Sequence, residues 1–134
     1  MGQYHRLVNL DTKEFVNPHG LGFGSKQYEH TSTEGSLADA MYLLATCSAN
    51  RGGGDFPLTS VSGRWVGDRI VVVGDYTEDK DIPNYPSASK IYGQLDDENL
   101  WTEITGEVRE AFKKIFAIDY SLGNYGFWDR QLVD

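Results

Sequence analysis

The stretch GRWVGDRIVVVGDY, Gly63 to Tyr76, decides how the rest of the chain is read. Ile70-Val71-Val72-Val73 is a β-branched run, and such side chains suit a pleated strand better than a helix. No polar residue alternates through it. The run therefore predicts a strand covered on both faces, at the middle of a sheet. The turn-prone pair Gly67-Asp68 separates it from Arg64-Trp65-Val66, so the whole segment reads as a tight hairpin, with Gly74 and Asp75 as its end.

Upstream, QYHRLVNL (Gln3–Leu10) alternates in part. Tyr4, Val8 and Leu10 fall on one face and Gln3, His5 and Asn9 on the other, with Arg6 and Leu7 breaking the pattern. Asp11-Thr12-Lys13 reads as a turn and Glu14-Phe15-Val16 as the returning strand, stopped by Pro18, which lacks a ladder donor. After the glycine-rich NPHGLGFGSK (Asn17–Lys26), Leu37, Ala40, Met41, Leu44, Ala45 and Ser48 recur at helical spacing, with Ser36 or Thr33 as cap. Ala38, Leu43 and Cys47 make the other faces apolar, which predicts a deeply packed helix and a buried cysteine. Asn50 and Gly52-Gly53-Gly54 end it.

Downstream, DYTEDKDIPNYPSAS (Asp75–Ser89) reads as a mobile acidic loop, and SKIYGQL (Ser89–Leu95) as a further strand. Ile104, Val108, Ala111, Phe112, Ile115 and Phe116 mark an amphipathic helix. Thr105 is its expected cap, with Glu107 in the first turn and Lys113-Lys114 in the last, as the helix dipole prefers. Tyr125, Phe127 and Trp128 are expected to pin the tail to the core. The order predicts one compact α+β domain over residues 1–134, a mostly antiparallel sheet of about five strands with two helices.

Composition narrows the classes. At 40% hydrophobic and 13% aromatic the chain has the material for a core. No run approaches the about 18 apolar residues of a membrane span, and MGQYHRLVNLDTKEF has neither an apolar signal region nor a myristoylation pattern. With Cys47 the single cysteine, no internal disulfide can form, which fits a reducing, cytoplasmic setting. Net charge is −8, and the span from Asp75 to Glu110 holds ten acids against three bases, so it carries −7 of it. Such a span repels a nucleic-acid backbone. It is either a solvated face or a patch complementary to a basic partner, centred on Asp79, Asp81, Asp96, Asp97 and Glu98.

The opening MGQY…VNLDTKEFVNPH, the RGGGD stretch (Arg51–Asp55) and the GRWVGDRIVVVGDY segment resemble a group of small uncharacterised proteins of bacteria and their phages. The similarity is concentrated before Tyr76. It implies a compact cytoplasmic domain in a phage or mobile-element setting, and it brings no catalytic residues.

Recognised chemistries fail on spacing. Gly20, Gly22 and Gly24 alternate and Ser25 precedes Lys26, which is neither a P-loop nor a dinucleotide fingerprint. His5, His19 and His30 stand at no metal-ligand spacing, and the run from Asp75 to Pro86 lacks the glycine and closing glutamate of a calcium loop. There is no nucleophile elbow, so no catalytic set, cofactor or metal is expected. One anion pocket is conceivable: His19, Lys26, Arg51 and Arg64 converging near Asp68, Arg69 and Asp75, with arginine forks gripping phosphate or carboxylate. The plainer alternative makes Arg64, Asp68 and Arg69 an exposed ion-pair set.

Two functional expectations follow. One is a non-catalytic binding protein, a phage or mobile-element factor that inhibits a basic host protein through the acidic face. The other is a small enzyme or sensor that takes a nucleotide-like anion between the glycine-rich loops.

Overall fold

A computed structural model of the chain describes residues 2–122. Four strands form one mixed sheet: β1 (His5–Asn9), β2 (Glu14–Val16), β3 (Ile70–Gly74) and β4 (Thr102–Glu103), in the order β3-β1-β2-β4. β1 is antiparallel to both β2 and β3, and β4 runs parallel to β2. The helices are α1 (Leu37–Ala45), α2 (Ile91–Gln94) and α3 (Thr105–Phe116), with short 3-10 turns between them. The α+β class holds. The sheet is smaller than expected and only partly antiparallel, and a third helix, α2, replaces the strand that SKIYGQL predicts.

The interior strands are β1 and β2, and the valine run, β3, lies at an edge. Leu7 and Val8 are fully buried, on opposite faces, whereas Ile70 and Val71 are half-buried and Val72 is 45% exposed. β branching reports a preference for extended backbone, and an edge strand satisfies it as well as a central one. The expected partner, Arg64-Trp65-Val66, is not a strand either. It lies in successive turns, Val66 N–H to Gly63 C=O and Asp68 N–H to Trp65 C=O. Its amides serve α1 instead: Gly63 and Trp65 N–H donate to the Leu43 and Leu44 carbonyls, which the last turn of a helix leaves unpaired. Gly63 and Gly67 reach this path with φ of 71° and 85°.

Both sheet faces are covered, which explains why the polarity of β1 does not alternate. On one face Leu7 and Val16 pack with Ala40, Leu43 and Leu44 of α1, with Val108, Ala111 and Phe112 of α3, and with Trp65. On the other, Val8, Phe15 and Val73 pack with Ile82, Ala88, Ile91, Leu95 and Trp101. The acidic loop thus supplies a second core layer. Ile91 in α2 and Leu95 just past its end, four residues apart, are both buried, and that spacing suits a helical turn better than a strand. The loop is also tied down from within, by Ser89 N–H to Asp79 and by Glu78 N–H to Asp81.

α1 ends at Ala45 because Thr46 turns to extended backbone, and Cys47 beyond it is exposed rather than buried. Ser36 caps α1 by position, without a side-chain bond, while Asp39 accepts from Gly35 N–H. In α3 the cap position is Ile104. Thr105 lies in the first turn, and its hydroxyl accepts from Asn17 N–H at 2.8 Å. A Cβ at Gly20 would stand 2.5 Å from the Thr105 methyl, so this contact needs glycine. Tyr125, Phe127 and Trp128 lie outside the described residues. Among the described residues no helix is long and apolar enough to cross a membrane.

Candidate functional site

Of the residues expected to form an anion pocket, Arg64, Asp68 and Arg69 are each tied to the turn from Asn9 to Glu14, and Asp75, His19 and Lys26 are held by other partners. Arg64 grips Glu14 through Nε at 3.1 Å and Nη2 at 2.6 Å, and Arg69 binds Asp11 through its backbone N–H at 2.7 Å and Nε at 3.0 Å. Asp68 accepts from the Asn9 amide, and Asp75 accepts from Tyr4 N–H. His19 Nε2 lies 3.1 Å from the Ser25 hydroxyl, and burial lowers the histidine's pKa, with Arg6 adding to the effect. Lys26 N–H donates to Glu29. The glycine-rich amides are committed too. Gly20 and Gly22 N–H donate to the Asn17 and His19 carbonyls, and Arg51 and Gly52 N–H both donate to Asp55. That nest is already filled by a carboxylate of the chain itself. Arg51, an exposed residue, lines a recess of about 490 Å³ together with Asn50, Cys47 and Ser62.

The acidic residues converge better. From α2 the chain turns through Asp96–Leu100 into β4, with Leu100 and Trp101 N–H both returning to the Asp97 carbonyl. A groove of about 480 Å³ opens here. Phe15, Leu95 and Trp101 form its floor, and Asp96, Glu98, Thr102 and Glu103 its sides. The floor residues are only 2–3% exposed, so the groove is shallow. The rings are also stacked by the chain's own cations. Arg6 lies 5.8 Å from the Phe15 ring, and Lys13 lies 4.8 Å from Trp101.

The carboxylates differ in what they already hold. Asp96 pairs with Arg6 at 3.0 Å. Asp97 caps its own turn by accepting from Asn99 N–H, Asp81 does the same with Glu78 N–H, and Asp79 accepts from the more distant Ser89 N–H. Bonds from Ser89, through hydroxyl and amide, hold the Asp79 carboxyl below its usual range, so it keeps its charge. Glu98 and Glu103 have no hydrogen bond or ion pair among the described residues. Behind them the sheet edge is open. Thr102 and Ile104 N–H donate to Lys13 and Phe15 of the β2 side, which leaves the Glu103 N–H and C=O turned outward.

Glu103 belongs to the acidic span but not to the face expected from sequence, and the floor was not expected at all. Asp79 and Asp81 lie in the loop before α2 and do not line this groove. Among the described residues, no group of three or more His, Cys, Asp or Glu side chains could hold a metal ion. Comparison of the chain with protein-family models, curated proteins and solved structures returned no match.

Proposed function

We propose that this α+β chain is a non-catalytic binding protein that takes a basic segment of a partner protein in the groove between α2 and β4. The setting is a phage or mobile element, and the partner is a host protein that binding inhibits. One observation carries the reading: Glu98 and Glu103 stand uncommitted over an apolar floor, inside a span that holds −7 of the net charge. Lysine and arginine match such a site, because their stems cover apolar surface while their heads reach carboxylates at the rim. Complementary charge of this kind speeds encounter and fixes register more than it adds affinity.

The test is a pull-down from bacterial lysate with the wild-type chain and with Glu98→Lys/Glu103→Lys. The expected result is one basic protein retained by the wild type and lost in the variant and in high salt. Equal recovery by both chains removes the groove from the function.

Arg51 supports a second reading, a sensor of a nucleotide-like anion, since it is exposed, lines a recess, and forms no side-chain hydrogen bond or ion pair among the described residues. A nucleotide at a hundred times its dissociation constant would stabilise the fold by about 2.7 kcal/mol, a shift that Arg51→Ala would abolish. No thermal shift with any nucleotide retires the idea.

A further inference from the structure

We infer that β3 is a self-association edge, across which two copies of this chain pair antiparallel about a two-fold axis. The ladder shows which groups are available. Leu10 N–H donates to the Arg69 carbonyl and Asp75 N–H to the Tyr4 carbonyl. With the register Val8↔Val71 and Arg6↔Val73, alternate residues of β3 bond to β1, and Ile70, Val72 and Gly74 point their backbone groups away from it. Gly74 is closed off locally, its N–H donating to the Thr77 hydroxyl and its C=O accepting from Thr77 N–H. Ile70 and Val72 remain, and no strand among the described residues pairs with that side of β3.

These groups fit a second copy of themselves. When Val71 faces the other copy's Val71, Ile70 stands opposite Val72 and Val72 opposite Ile70. Each such pair exchanges two backbone bonds, so the register uses every free group of the edge. Charge agrees with the register. Residues 70–74 carry no charge, whereas Arg69 precedes them and Asp75 follows. Antiparallel pairing sets each Arg69 diagonal to the other copy's Asp75, within reach of a long side chain, although Arg69 also holds Asp11 through Nε and Asp75 also accepts from Tyr4 N–H.

Packing agrees as well. Ile70 and Val72 project to the α1 side, where Val72 is 45% and Met41 41% exposed. Val72 and Met41 border an apolar recess of about 170 Å³ lined also by Leu37, Ala38 and His30. The second copy's Ile70 and Val72 would stand beside Val72 and cover this mouth. An open, uncharged valine edge is a template for unlimited addition, and a two-fold pair closes it. The edges left on the joined sheet are the two β4 strands, each carrying Glu103, and like charge resists further growth.

The test is sedimentation equilibrium of the full chain over a concentration series, with backbone amide exchange read alongside. The wild type is expected to reach twice the chain mass. Val72→Pro removes an amide that β1 does not use, so it should keep the fold and sediment as a monomer; Val72→Lys should do the same by setting like charges across the axis. In the wild-type dimer the Ile70 and Val72 amides should be protected, and dilution should release them while Val71 and Val73 stay protected. A wild-type monomer at all concentrations overturns the inference, whether its Ile70 and Val72 amides exchange freely or are protected by another segment. A dimer that survives both substitutions overturns it equally. Because exchange is read on the unaltered chain, the outcome stands even if neither variant folds.

Discussion

Glu14 ties three distant segments together through one carboxylate. It is buried in β2 and accepts from Arg64, from Trp65 Nε1 at 2.8 Å and from the Thr12 hydroxyl at 3.2 Å. The Arg64 bonds hold its carboxyl below the usual range, against the opposing pull of burial. Truncation to alanine leaves a fully buried indole N–H and a guanidinium unpaired, so Glu14→Ala should cost about 2–3 kcal/mol in urea unfolding. Glu14→Gln keeps an acceptor for Trp65 and should cost less. His30 is a comparable hub with a different dependence on pH. Its Nδ1 accepts from Leu37 N–H at 3.0 Å, so Nε2 carries the proton donated to the Gly24 carbonyl at 2.9 Å. A second proton would set N–H against N–H. Burial lowers the pKa of this ring, although the Gly24 carbonyl opposes the shift. A lowered histidine pKa means that the unfolded chain binds the proton more readily. The stabilisation is therefore complete above about pH 6.5 and is lost as pH falls from there through the native value. For Glu14 the sign is that of a lowered carboxylate, with stability held above about pH 4.3 and lost below it. Unfolding free energy measured from pH 8 to 5 should decline in the wild type and decline less in His30→Gln. Some slope should remain, because burial lowers the His19 pKa as well. An unchanged slope would remove His30 from the account.

At the level of elements, the assignment of the sheet's centre can be decided by two substitutions. Leu7 of β1 is fully buried among α1, α3 and Trp65, and Leu7→Ala should cost about 2–5 kcal/mol, the range for a large-to-small change in a packed core. Val72 of β3 stands at an edge with nearly half its surface exposed, so Val72→Ala should cost less than about 1 kcal/mol in the monomer. A central β3 would reverse this order, and denaturant midpoints of the two variants separate the cases. The same contrast shows what the sequence could convey. The β1–β2 hairpin and α3 were legible because their signals are local, a turn after a strand and apolar residues at helical spacing. The position of the valine run was not, because its neighbours in the sheet are set by pairing over more than sixty residues, as in Leu7↔Val72. Nor could a pattern reveal that Arg64-Trp65-Val66 serves the carbonyls of α1. The two-residue β4 lies parallel to β2 and has no periodicity of its own to detect.

Across the whole molecule, charge and core are arranged in opposition. The acidic span contributes the apolar layer of Ile82, Ala88, Ile91 and Leu95 on its inner side, and it turns its carboxylates outward. The surplus of acid was therefore visible in the sequence, but the groove was not, because its floor joins Phe15 to residues about eighty positions later along the chain. Which carboxylates are free was equally hidden, since Asp96 is engaged by Arg6 from β1. That division yields a prediction in which stability and binding move apart. If Glu98 and Glu103 serve a partner, the fold gains nothing from them and bears only their repulsion within a chain of net charge −8. Glu98→Gln/Glu103→Gln should then be as stable as the wild type or up to about 0.5 kcal/mol more stable at low ionic strength. The difference should shrink as salt rises, because the screening length falls from about 30 Å at 0.01 M to about 8 Å at 0.15 M. Capture of the basic partner should fall in the same variant. Thermal unfolding of both chains across that salt range, set beside their pull-down yields, checks both halves at once. A variant less stable than the wild type at low salt would show that these carboxylates support the fold, and the groove would lose its claim to be a binding site.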